Sequence, residues 1–247
     1  MQGFFLHKKM EEKDFRINKY IAACGFCSRR EADRLIAEGK VLVNGRIPDI
    51  GQKISDRDCV TVDGKNISRL QETVVYAYYK PVGVTVTRED AHAERTIYDD
   101  LSIPEAKTLK YAGRLDKASE GLLLLTSDGE LIDYLMRGRN HHEKEYVVTL
   151  DAEPTKEDMQ TLEKGVFLAE LDRMTKPCKI HVSGKRSVTM VLTEGLNREI
   201  RRMWALLGYQ VMKLKRIRVA DVTVGDLKPG KYRKLLDEEV QMLRQEK

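Results

Sequence analysis

Arg114 and Asp116 stand two residues apart in GRLDKASEGLLLLTSDGE, residues 113–130, just ahead of four consecutive leucines. A carboxylate at the lip of an apolar segment is costly unless a cation or a hydrogen bond satisfies it. If Tyr111–Leu115 is extended, Arg114 and Asp116 share side-chain parity and emerge on one face of a strand end. Beside a cleft, that is a place for carboxylate chemistry; on spacing alone, Arg-x-Asp is most simply a structural ion pair. The remaining reactive residues offer less. Cys24 and Cys27 form a C-x-x-C, but neither Cys59 nor Cys178 completes a second pair and no His adjoins it, so these two read as packing thiols, and the four cysteines fit a reducing compartment better than a disulfide framework. His141 and His142 are neighbours and cannot readily face one ion, and the five histidines give no metal-ligand spacing. A metal enzyme is not expected.

Composition bounds the elements that must position these groups. A chain of 247 residues with 41% hydrophobic content can bury a core, as one large domain or two smaller ones. With 44 Lys and Arg against 39 Asp and Glu, the formal charge is +5, and 34% charged residues give a surface that leans toward an anionic partner. The N-terminal MQGFFLHKKMEEKD has too short an apolar run for a signal peptide, and no stretch of eighteen apolar residues occurs. The expectation is a cytoplasmic protein without a membrane partner.

Two regions follow. From Phe15 to about Asp63 the pattern predicts a short helix, a turn at Gly25, a second helix, a strand and a turn. Ile17, Tyr20 and Ile21 stand at helical spacing, and Ser28 with Glu31 has the form of a capping box for a helix that ends at Gly39. Arg29, Arg30, Arg34, Lys40 and Arg46 make a phosphate-contacting face, or else a solvated helix surface. The polar segment VDGKNISRLQET, residues 62–73, reads as a hinge, dividing a module at 1–70 from a domain at 71–247. In the second region KPVG is expected to turn between the strands VVYAYYK and VTVT. Leu122–Thr126 is a buried strand, Ser127 and Glu130 are expected to cap the helix ELIDYLM, and EKEYVVTL alternates as a strand. NREIRRMWALLG puts Ile200, Met203, Trp204 and Leu207 on one helical face before a strand over about 209–214. The fold class is α+β: a small α/β module and a larger domain built on a mixed sheet.

The order SR-x-x-A-x-x-x-I-x-x-G-x-V-x-V-N-G, residues 28–45, resembles the small αL-type RNA-binding module also found in a small-subunit ribosomal protein and in tyrosyl-tRNA synthetases. That resemblance implies RNA binding, not catalysis. AGRLDKASEGLLLLTSDGEL then resembles the signature of the RsuA-type pseudouridine synthases that modify ribosomal RNA, in the branch with this N-terminal module. KPVG (80–83), HEKEYVV (142–148) and GLNREIRRM (195–203) match in the same order, so the resemblance spans nearly the whole chain.

It implies that Asp116 is the essential carboxylate, acting as nucleophile at C1′ or as base at C2′ of the ribose, with no cofactor. It implies that Arg201 pairs with Asp116, and that Tyr146 stacks on the uracil and takes the C5 proton. Arg114 would contact backbone or the flipped nucleotide, and Arg198, Arg202, Lys213, Lys215, Arg216 and Arg218, the densest basic run, would follow the RNA phosphates. One departure stands out: Glu199 occupies a position where the family usually carries Gln, and is expected to alter local RNA contacts without removing catalysis. The expected partner is structured RNA, met by a monomer: large-subunit ribosomal RNA, with a tRNA anticodon loop as a second target in one member type. RMTKPCKIHV is also compatible with the small-subunit subgroup. Two other readings compete: a non-catalytic ribosome-assembly factor, against which Asp116 itself argues, and a glycoside hydrolase, which would need a second carboxylate such as Glu120.

Overall fold

The computed structural model describes residues 14–55, 57–68, 74–88, 93–137 and 142–245. Of the expected hinge at 62–73, residues 62–67 belong instead to a pair of antiparallel strands, Val60–Val62 and Lys65–Ile67, while 69–73, like His141, lie outside the described residues. The chain divides into two compact units, 1–72 and 73–247, and the mixed α+β architecture expected from the sequence is the one observed.

The first unit contains β1 (Phe15–Arg16), α1 (Ile17–Ala23), α2 (Arg29–Ala37), β2 (Val41–Val43), β3 (Lys53–Ile54), β4 (Val60–Val62) and β5 (Lys65–Ile67). Ile17, Ile21, Leu35 and Ile36 close over Val41, Val60 and Val62, with the thiols Cys24 and Cys27 packed at the margin. Ser28 Oγ caps α2 by accepting from the Glu31 amide at 3.2 Å. The other half of the expected box does not close, because the Glu31 carboxylate turns to Arg34 Nε at 3.0 Å. Asn44 and Gly45 both take positive φ, 51° and 78°, which is the backbone a tight turn out of β2 demands and the physical content of the VNG motif.

The second unit contains β6 (Val75–Lys80), β7 (Lys110–Ala112), β8 (Glu120–Thr126), α3 (Gly129–Met136), β9 (Lys144–Leu150), α4 (Lys156–Glu163), β10 (Phe167–Leu168), β11 (Arg173–Met174), β12 (Lys179–Gly184), β13 (Ser187–Leu192), α5 (Glu199–Leu206), β14 (Val211–Val219), β15 (Val222–Thr223), β16 (Tyr232–Lys234) and α6 (Asp237–Arg244). Its main sheet runs β12-β13-β9-β14-β8-β6-β16, with β15 on β14 and β7 on β8. The β14–β8 pair is parallel and its neighbours are antiparallel.

The four leucines of β8 explain themselves in this sheet. Leu122 and Leu124 face Leu131, Leu135 and Leu243 of α3 and α6, while Leu123 and Leu125 face Tyr78, Val84, Ile97 and Leu109. A strand covered on both faces needs apolar residues at every position, and each such burial contributes about 2 kcal/mol. Where β8 meets β14, Gly121 has φ +108°, and a Cβ there would lie 2.2 Å from the Arg216 carbonyl oxygen. Glycine is what lets the parallel strands approach.

Three expectations change. VTVT is not a strand: Val84 and Val86 are buried, and among the described residues the segment's ladder is a single bridge at Thr85, through Arg95 O at 3.0 Å and the Ile97 amide at 3.1 Å. The cap of α3 is Asp128, not Ser127, since its Oδ1 reaches the amides of Glu130 at 2.7 Å and Leu131 at 3.1 Å. The strand expected to stop near 214 runs on to Val219, because β9 supplies a partner as far as Lys144.

Candidate active site

Asp116 sits on the loop that leaves β7 and enters β8. Gly113 turns the chain with φ +76°, and a Cβ there would meet Met136 Sδ at 2.7 Å. The expected extended strand through residue 115 therefore ends at Ala112, and Arg114 and Asp116 belong to a loop. Leu115 anchors it in the core, the Ser119 amide closes a turn on Asp116 O at 3.0 Å, and the Gly83 amide binds Lys117 O at 2.8 Å. KPVG is thus the brace of the Asp116 loop. Lys80, wholly buried at the end of β6, donates its Nζ to Pro81 O at 2.9 Å and Ser119 O at 2.7 Å.

The loop opens on a cavity of about 350 Å³ whose lining includes Arg114, Asp116, Lys144, Tyr146, Glu194, Arg198, Glu199 and Arg216. Tyr146 and Arg216 are partners across β9 and β14, and Arg216 is also in register with Gly121. Arg216 is only 2% exposed and its Nε donates to Leu122 O at 2.7 Å. It is a wall of the cavity, which corrects the expectation of a surface phosphate contact.

Arg201 corrects a second expectation. Among the described residues no ion pair joins it to Asp116, and it lines a neighbouring groove with Arg198, Arg202 and Phe167 instead. Its fork holds backbone: Nη1 donates to Val211 O at 2.8 Å, and Nη2 to Ala118 O at 3.1 Å and Ser119 Oγ at 3.4 Å. The guanidinium therefore ties α5 and β14 to the far side of the Asp116 turn. Burial pulls its pKa down, and the nearby Asp116 charge opposes that.

The same balance marks residues that spacing did not single out. Burial draws Lys80 down to about 8 against the charges of Asp116 and Glu120. Burial, then Arg216, draws Lys144 down to about 8, against Glu199 and Glu194. Glu199, expected to alter local RNA contacts, is 5% exposed in the cavity wall, and burial pushes it up to about 7. The available signal was a lysine ending a strand buried throughout its length, as in VYAYYK. Glu120, the second carboxylate a glycosidase would need, is not in the lining and accepts the Tyr79 hydroxyl at 2.8 Å.

The basic run separates by partner. Arg218 binds Glu145 at 2.7 Å and Glu143 at 2.9 Å, Arg202 pairs with Glu170, and Lys215 lies 5.0 Å from the Tyr79 ring centre. Arg198 and Lys213 are exposed. In the first unit Arg29, Arg30 and Arg46 are exposed, whereas Arg34 pairs with Glu31 and Glu38, and Lys40 with Glu38. No described helix is long and apolar enough to cross a membrane.

Comparisons with known proteins place the chain in a family. Residues 74–206 match the family described as RNA pseudouridylate synthase, and residues 15–58 match the S4 domain. The chain is 39% identical over 233 residues to the dual-specificity RNA pseudouridine synthase RluF of Escherichia coli, covering 94% of this chain and 79% of that one. It is 37% identical over 235 residues to ribosomal large subunit pseudouridine synthase B of Bacillus subtilis, covering 93% and 95%. A solved pseudouridylate synthase superposes with a TM-score of 0.69 at 30% identity, covering 93% of this chain and 99% of that one.

Proposed function

The chain belongs to the RNA pseudouridylate synthase family, and on that premise we propose that Asp116 is the carboxylate that carries the isomerisation of uridine to pseudouridine. The reaction breaks the N1–C1′ bond, turns the uracil in place and rejoins it through C5, with the C5 proton leaving afterwards. One carboxylate against the ribose suffices, as nucleophile at C1′ or as base at C2′. The observation that carries the reading is a single cavity, of nucleoside size, whose lining includes both Asp116 and Tyr146. The target uridine leaves its stack to enter it, at a cost of a few kcal/mol that RNA contacts offset. Tyr146 stacks on the uracil and receives the C5 proton. Arg201 acts as a positioning residue: it fixes the carbonyl of Ala118 and the hydroxyl of Ser119, and through them the Asp116 turn.

The RNA we assign is that of the large ribosomal subunit, which the name of the Bacillus subtilis relative specifies. A tRNA anticodon loop is the second substrate to assay, and the Escherichia coli relative's dual-specificity name allows for two targets. Arg29, Arg30 and Arg46 of the first unit, and Arg198 and Lys213 of the second, bind phosphate, and the enzyme acts as a cytoplasmic monomer. Asp116→Asn tests the core of this: the protein should fold and bind RNA, yet release tritium from C5-labelled uridine RNA below about a hundredth of the wild-type rate. Activity above that level would sink the assignment. Carbodiimide mapping of pseudouridines in total RNA from a deletion strain identifies the target.

A further inference from the structure

Two carboxyl groups in the cavity wall do no work in this mechanism. Glu194 ends the segment after β13, and Glu199 opens α5; both are buried, at 7% and 5% exposure. Each spends one oxygen on a backbone amide: Glu194 Oε1 accepts from Lys176 N at 2.5 Å, and Glu199 Oε2 from Leu196 N at 2.9 Å. Their other oxygens, Glu194 Oε2 and Glu199 Oε1, are buried without a hydrogen-bond donor among the described residues. Arg173 Nη2 lies 3.6 Å from Glu194 Oε2, too far to donate. Yet the two carboxyls are within hydrogen-bonding reach of one another. A proton held between two facing acceptors satisfies both.

We infer that Glu194 and Glu199 share one proton, and that this carboxyl–carboxylate hydrogen bond positions the 194–199 turn that presents Arg198 to the cavity. The turn needs such a clamp: Arg198 is the N-cap of α5 in the left-handed conformation, φ 52°, with no side-chain cap. The proton is held against the cations that face the pair, Lys144 from β9, Arg216 from β14, and Arg173 and Lys176 from β11 and the segment after it. Cys178 is the other titratable neighbour, its thiol pushed up to about 12 by burial, then by Glu163 and Glu199.

Glu199→Gln supplies the bridging donor permanently, because an amide keeps one oxygen for Leu196 N and offers N–H to Glu194. Glu194→Gln does the same from the other side, whereas the double substitution sets two amides donor to donor. A carboxyl raised by folding contributes stability that is present below its unfolded value of about 4.5 and is lost as pH rises through about 7. The melting temperature of the wild type should therefore fall relative to Glu199→Gln, which lacks the titrating group, between about pH 5 and pH 8. Single-turnover tritium release at saturating RNA should drop roughly fivefold more in the wild type than in Glu199→Gln between about pH 6 and pH 8.5. Titration of Lys80, whose charge partners are Asp116, Glu120 and Arg216, is common to both proteins and cancels in that ratio. The double variant should melt lower than either single one at every pH. Superimposable pH profiles for wild type and Glu199→Gln, or a double variant as stable as the singles, would overturn the shared proton. The turnover comparison rests on the proposed function; the melting comparison does not, so a chain that shares the proton but fails to isomerise uridine is told apart.

Discussion

Arg201→Met removes the guanidinium fork while keeping an aliphatic stem of similar reach, and so tests whether the Asp116 turn is held from behind. The fork makes two good hydrogen bonds, at 2.8 Å to Val211 O and 3.1 Å to Ala118 O, and one weak contact at 3.4 Å to Ser119 Oγ. A hydrogen bond from a charged donor contributes about 1.5–3 kcal/mol; because Arg201 is only half-buried, the lower figure applies to the two good bonds and the third counts for little. That gives about 3 kcal/mol, or two decades of rate at about 1.4 kcal/mol per decade, if the turn must be ordered only in the transition state. Water satisfies part of what is lost, so the expected fall in single-turnover rate at saturating RNA is tenfold to a hundredfold, roughly. RNA affinity, measured across a salt series, should stay within about twofold with its slope unchanged, because this guanidinium is spent on backbone carbonyls. A saturating rate within about twofold of wild type, or a salt slope reduced by about 1 with the rate intact, would refute the positioning role and make Arg201 a phosphate contact.

Gly121→Ala should destabilise the second unit by about 3–5 kcal/mol, since the new methyl must enter a 2.2 Å gap against the Arg216 backbone at φ +108°; urea unfolding reads this, and a loss under about 1 kcal/mol would mean that the strands separate freely. Arg29→Ala and Arg30→Ala should each lower the slope of log affinity against log salt by about 1, whereas Arg218→Ala, whose charge is already met by Glu143 and Glu145, should leave it unchanged.

Much of the second unit was legible because its local patterns admit one reading. Four leucines in a row before a polar turn require a strand buried on both faces, and Ile200, Met203 and Trp204 at helical spacing require a helix packed on its apolar side. VTVT misled for a related reason: alternation reports burial of Val84 and Val86, but a strand also needs a partner running alongside, and among the described residues the segment has a single bridge, Thr85 to Thr96. Ser127 and Asp128 are equally good caps by residue type, and the choice falls to Asp128 because Arg244 of α6 donates to its other oxygen at 2.7 Å.

The sequence by itself determined the two regions, the order of motifs that carries the family, and the carboxylate at the head of the leucine strand. It did so because periodicity, turn chemistry and motif order are properties of neighbours along the chain. What each charged side chain does was decided by tertiary structure alone. Arg201, Arg216 and Arg218 look alike in a basic run, yet one braces a turn 82 residues away, one is walled in against a carbonyl 94 residues away, and one is neutralised by carboxylates 73 and 75 residues away. Lys80, Glu194 and Glu199 likewise became part of the site only when the sheet withdrew them from water. The worth of a charge depends on its dielectric surroundings and its partners, and both are fixed by strands that meet only in the folded chain.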